Sequence, residues 1–102
     1  MSEPAEHQPS VFVVDNDQHL LNSLVGLLDA LGFRVQPFST PDSFMRFYRP
    51  EMPGGLILDI CMPRQTGLDL YGQLLLEGKR IPVIFITAHA DVSLACRVPD
   101  AL

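Results

Sequence analysis

One short stretch decides the fold: VFVVDND, at residues 11–17. Its first four residues are apolar and mostly β-branched, which is typical of a strand buried on both faces of a parallel sheet. The three polar residues that follow stop the strand and can cap a helix. Leucines at helical spacing then predict an amphipathic helix: Leu20, Leu24, Leu27 and Leu31.

The same unit of strand followed by helix recurs along the chain. Further strands are predicted over 33–38, 56–58 and 82–86, and each is followed by a helix signal. The last helix is predicted to begin near Asp91 and to end before Pro99. The order βαβαβαβα predicts the α/β class, with a doubly wound parallel sheet covered by helices on both faces.

Length and composition fit one domain. The chain has 102 residues, of which 47% are hydrophobic, and a formal net charge of −5. Excess acid argues against direct nucleic-acid binding and favours metal ions or basic partners. No apolar run approaches the roughly 18 residues of a membrane span, and the N-terminus lacks a secretory signal. We therefore expect a cytoplasmic protein without membrane association, with a flexible tail over 1–9 and the domain over 10–102.

Three of the predicted strands end in polar, reactive residues: Asp15, Asp59 and Thr87. In a flavodoxin-like sheet of strand order 2-1-3-4, these residues meet at the carboxyl edge, where open α/β sheets bind ligands. Crowded carboxylates repel each other, so a hard divalent cation, Mg²⁺, is expected to neutralise them. A carboxylate beside Mg²⁺ can attack a phosphoryl donor and form an aspartyl phosphate.

Three runs resemble the signatures of a known family. They are VVDND at 13–17, LDICMP at 58–63 followed by TGL at 66–68, and PVIFITA at 82–88. Together they are similar to the receivers of bacterial response regulators, and 84–92 is most similar to the FixJ branch, whose receivers usually precede a DNA-binding helix-turn-helix domain. The resemblance implies a two-component phosphorelay protein that is not an enzyme and that takes a phosphoryl group from a sensor histidine kinase with Mg²⁺.

The resemblance also implies a role for each matching residue. Asp59 matches the phosphoacceptor and a metal ligand, and Asp15 matches an acidic metal-site residue. Cys61 matches the position whose backbone carbonyl binds the metal. Thr87 matches the hydroxyl residue that contacts the phosphoryl group and moves on activation, and Ala88 matches the small residue beside it.

The sequence departs from the family pattern at two places. Asn16 stands where a second aspartate normally binds the metal, so weaker metal binding is expected. The family's fifth strand, with its catalytic lysine, and its fifth helix have no counterpart in 98–102, which predicts a C-terminally truncated receiver. The chain's only lysine, Lys79, precedes the fourth strand and cannot fill that role. An exposed fourth strand at 83–86 is then expected to favour self-association.

Two other functions stay open. A degenerate receiver, which binds partners without phosphorylation, is favoured by Asn16 and by the missing lysine. A phosphatase is the third reading, because Asp15-Asn16-Asp17 resembles the DxD nucleophile of haloacid-dehalogenase-type enzymes, although their further motifs are not seen.

Overall fold

A computed structural model describes residues 8–62 and 64–87. These residues form four strands and three helices in alternation. The elements are β1 (Ser10–Val14), α1 (Gln18–Ala30), β2 (Val35–Phe38), α2 (Pro41–Phe47), β3 (Gly54–Asp59), α3 (Gly67–Leu76) and β4 (Val83–Ile86). The helix predicted near Asp91 and the expected truncation after residue 97 lie outside the described residues.

All strand pairs are parallel, and the sheet order is β2-β1-β3-β4, which confirms the predicted doubly wound, flavodoxin-like topology. β1 lies at the centre, where Val14 pairs with Phe38 on one side and with Leu58 on the other. β2 begins at Val35, two residues later than predicted, and Phe33 is exposed. The first and third strands are therefore direct neighbours, as the predicted site requires.

The core lies on the face of the sheet covered by α2 and α3. Phe12 of β1 stands at its centre, with its ring 5.7 Å from both Phe44 and Tyr48, in edge-on geometries that aromatic pairs favour. The other fully buried members come from the two central strands and α3: Val14, Leu56, Leu58, Leu70 and Leu74. Phe47, predicted to belong to the core, lies at its rim and is partly exposed, yet still contacts the ring of Phe12.

α1 packs against β1 and β2, on the opposite face of the sheet. Its buried residue is Leu21, and the predicted stripe is wrong in its second half, because Leu27 and Leu31 are 58% and 65% exposed. Among the described residues, the main contacts of the helix are with β1 and β2, and these leave Leu27 and Leu31 largely exposed.

Each helix begins after a polar capping residue, and the sequence indicated the polar run at 15–17 for α1 but not Thr66 for α3. Asp17 caps α1 by accepting hydrogen bonds from the backbone N–H groups of His19 and Leu20. Thr40 caps α2 in the same way. Thr66 and Asp69 form a reciprocal capping box at the start of α3. No helix within the described ranges is long and apolar enough to cross a membrane.

β4 pairs only with β3 among the described residues, and Ile84 on it is 64% exposed. Self-association through this strand stays a prediction. We expect the sedimentation coefficient to rise with protein concentration for the native chain and to stay constant for Ile84→Lys, because an edge lysine blocks strand pairing. A constant value for the native chain would contradict the prediction.

Candidate functional site

The register of the sheet places two aspartates side by side at its carboxyl edge. Val14 pairs with Leu58, so Asp15 and Asp59 are the next residues along neighbouring strands. Asp15 is fully buried and Asp59 is 3% exposed, although aspartate is almost never buried without a partner. The predicted meeting of these two residues is therefore present.

The chain turns back onto each carboxyl group directly after the strand ends. The backbone N–H of Asp17 donates to Oδ1 of Asp15 at 2.9 Å, and the N–H of Cys61 donates to Oδ1 of Asp59 at 3.0 Å. The second carboxyl oxygen of Asp15, Oδ2, is buried and has no hydrogen-bond partner among the described residues. These turns fix the orientation of both side chains.

The environment of Asp15 favours its neutral form. Burial raises its pKa, the facing Asp59 carboxyl group raises it further, and the hydrogen bond from the Asp17 backbone partly offsets both, so that the pKa of Asp15 stands at about 7. The Asp59 carboxyl group thus raises the pKa of Asp15, although Oδ2 of Asp15 forms no hydrogen bond of ordinary geometry with a described residue.

The donor set around this orphaned oxygen fits a hard cation. Asp15 and Asp59 supply carboxylate oxygens, the exposed Asn16 lies next to Asp15, and Cys61 can add a backbone carbonyl. Oxygen ligands of this kind suit Mg²⁺. Asp17 is occupied as the cap of α1. Over 8–62 and 64–87 no group of three or more His, Cys, Asp or Glu side chains could hold a metal, so the carboxylates supply only part of such a site.

Thr87 lies beside the pair at the end of β4. The backbone N–H of Ile60, which follows Asp59, donates to the carbonyl of Ile86 at 2.9 Å, and Thr87 comes next. Its Oγ1 atom lies 3.9 Å from the Sγ of Cys61, which is a contact that sequence reasoning missed. Ala88 lies outside the described residues. The structure thus brings together Asp15, Asp59, Cys61 and Thr87.

Lys79 is far from these residues. It precedes β4, at the amino edge of the sheet, and its Nζ forms a salt bridge of 2.9 Å with Glu77. The prediction that Lys79 cannot act at the site is consistent with this position.

Gly67 supports the site in a way that the sequence did not reveal. A Cβ atom at this position would lie 2.3 Å from the backbone oxygen of Asp59, so only glycine lets α3 begin so close to the strand end. The N–H of Gly67 also donates to the carbonyl of Ile60 at 3.0 Å. The sequence marked Gly67 only as part of a loop motif.

The sheet order and the paired acids define a class of protein: flavodoxin-like α/β domains that carry an acidic site where the strand order reverses. The model of the response regulator receiver domain family matches residues 11–101. This chain belongs to that family, the receiver domains of two-component systems.

The comparisons with individual proteins agree. The response regulator protein TmoT of Ectopseudomonas mendocina is 35% identical over 96 residues, which cover 94% of this chain and 44% of TmoT. The solved structure of the response regulator StyR is 43% identical, with a TM-score of 0.77, over 82% of this chain and 42% of StyR. The structure of FixJ-N is 31% identical, with a TM-score of 0.76, over 84% of this chain and 69% of FixJ-N. The chain thus spans less than half of TmoT and of StyR.

Proposed function

We propose that this chain accepts a phosphoryl group from a sensor histidine kinase on Asp59, with Mg²⁺ as the cofactor. The observation that carries the proposal is the buried pairing of Asp59 with Asp15, whose Oδ2 lacks a partner. A bound cation would stabilise two buried carboxylates that lie close together. The same cation would stabilise the negative charge of a phosphoryl group during its transfer.

The chain's own residues have separate parts in this reaction. The N–H of Cys61 orients the Asp59 carboxylate, which attacks phosphorus as the bond from phosphorus to the donor breaks. Asp15 and Asn16 would hold the cation together with Asp59 and the Cys61 carbonyl. Mg²⁺, when bound, neutralises the negative charge that gathers at the phosphoryl oxygens. Thr87 would contact the phosphoryl group and move on activation, and Ala88 would be the small residue beside it.

Intact-mass spectrometry after incubation with a small phosphoryl donor and Mg²⁺ tests this proposal. We expect one added phosphoryl group on the native chain, and none on Asp59→Asn or without Mg²⁺. Asn16→Asp, which adds a third carboxylate for the cation, is expected to lower the Mg²⁺ concentration for half-maximal phosphorylation by about tenfold. A folded native chain that gains no mass would contradict the proposal.

A degenerate receiver is the second candidate. It is favoured by one observation, the exposed amide of Asn16 in place of a carboxylate at the cation site. In that case partner binding would ignore Mg²⁺ and survive Asp59→Asn, and Asn16→Asp would not restore phosphorylation.

Further parts of the proposal concern the whole protein. We propose a receiver over 10–102, in a cytoplasmic location. Residues 1–7 of the predicted tail over 1–9 lie outside the described residues. The chain would act as a phosphoprotein rather than an enzyme, and it would not bind nucleic acid directly. The excess of acid, −5 overall, supports the last point.

A further inference from the structure

A cavity of about 590 Å³ adjoins the acidic pair. It is formed by the segments that follow β1, β2 and β3, and it reaches the site through Asn16, next to Asp15, and Met62, three residues after Asp59. Pockets of roughly 300–1,000 Å³ are the size that holds small molecules. The cavity is therefore large enough for the part of a phosphoryl donor that leaves.

The charge of the cavity is opposite to that of the acidic pair. Two guanidinium groups, Arg46 and Arg64, line it, against one carboxylate, Asp42. Neither arginine forms a hydrogen bond or ion pair with any residue of the described ranges, in which Lys79–Glu77 is the one salt bridge. In a chain of net charge −5, two unpaired cations at one cavity make a local site for an anion.

Two further features suit an anion. The hydroxyl-bearing residues Ser39 and Thr40 also line the cavity. Arg64 has a φ of 68°, the left-handed conformation that residues other than glycine rarely adopt. The chain thus accepts an uncommon backbone geometry at the residue that brings the second guanidinium to the cavity.

We propose that this cavity selects small phosphoryl donors that carry a second anionic group, which Arg46 and Arg64 bind while the phosphoryl group meets Asp59. This inference rests on the proposed function. A monoacyl phosphate of a dicarboxylic acid fits it. An Asp59 carboxylate oxygen attacks phosphorus, the bond from phosphorus to the acyl oxygen breaks, and its electron pair leaves with the dicarboxylate. No proton or redox partner is needed.

A pair of matched donors tests the inference. Acetyl phosphate and glutaryl phosphate share the same reacting group and differ by the carboxylate at the end of the acyl chain. At donor concentrations well below saturation, we expect the native chain to react about tenfold faster with glutaryl phosphate, as two charge-assisted contacts would give. The preference should shrink as salt is raised.

Variants that remove arginine charges at the cavity or elsewhere locate the effect. We expect the double variant Arg46→Gln, Arg64→Gln to react equally with both donors. Arg80→Gln, an exposed arginine before β4 at the other edge of the sheet, should keep the native preference. Equal rates for the native chain, or a preference that the double variant retains, would overturn the inference.

Direct binding separates this inference from the proposed function. If neither donor labels Asp59, the proposed function fails. Titration calorimetry with glutarate then tests separately whether the cavity binds an anion. Binding by the native chain and by Arg80→Gln, with loss in the double variant, supports the anion site. Absence of binding by the native chain overturns it.

Discussion

Replacing Gly67 with alanine is expected to cost roughly 2–4 kcal/mol of unfolding free energy, because a new Cβ atom would overlap the backbone of Asp59. The added carbon would lie 2.3 Å from the carbonyl oxygen of Asp59 and 2.9 Å from its carbonyl carbon. Backbone cannot rotate away as a side chain can, so the strand end or the start of α3 must shift. The expected fall in melting temperature is about 10–20 °C, measured by circular dichroism.

Gly72→Ala is the matched control. Gly72 lies in the same helix, α3, and a Cβ atom there would meet nothing within 4 Å. Since alanine is the better helix former by about 1 kcal/mol, this variant should be as stable as the native chain or slightly more so. If both substitutions destabilised the chain equally, the close approach of Gly67 to the backbone of Asp59 would not be the cause of the loss in stability.

The second large effect is a fall in stability as pH rises in the absence of divalent cations. The pKa of Asp15 is about 7 in the folded chain against an ordinary value of 3.8, so the folded state holds a proton that the unfolded state releases. The contribution of Asp15 to stability is therefore fully present below about pH 4, falls as pH rises towards 7, and levels off above it. The total change is on the order of 4 kcal/mol, at about 1.4 kcal/mol for each pH unit.

Urea unfolding at a series of pH values measures this change. Asp15→Asn, which cannot ionise, should flatten the profile and be more stable than the native chain at pH 8, whereas the exposed Asp29→Asn should keep the native profile. Mg²⁺ should restore stability to the native chain at pH 8, because it replaces the proton between the carboxylates. A native stability that rises from pH 4 to 7, or an unchanged slope in Asp15→Asn, would contradict the paired-acid description.

Local signals in the sequence predicted most of the fold. Continuous apolar runs such as 11–14 marked strands buried on both faces, and the polar run that ends at Asp17 marked a helix start, because these patterns follow from neighbours along the chain. The exposure of Leu27 and Leu31 was not predictable in this way. Helical spacing shows that a face is apolar, but only tertiary packing decides which part of that face meets the sheet.

In the candidate site, too, some features could be predicted from the sequence and others could not. Asp15, Asp59 and Thr87 could be predicted because strand ends in a parallel sheet share one edge. The contact between Cys61 and Thr87 and the cavity of Arg46 and Arg64 depend on how separate loops approach each other, which no local pattern encodes. Gly67 combines both cases. The motif that contains it was visible in the sequence, but the need for glycine there comes from the nearby backbone of Asp59.

The account depends on one acid of the buried pair being the residue that receives the phosphoryl group. Fragment mass spectrometry of the chain, after reaction with a small donor and Mg²⁺, tests this directly. We expect all of the added mass on the fragment that contains Asp59, and none on the fragment that contains Asp15. A phosphoryl group found on any other residue, or labelling of the Asp59→Asn chain to the native level, would contradict the account.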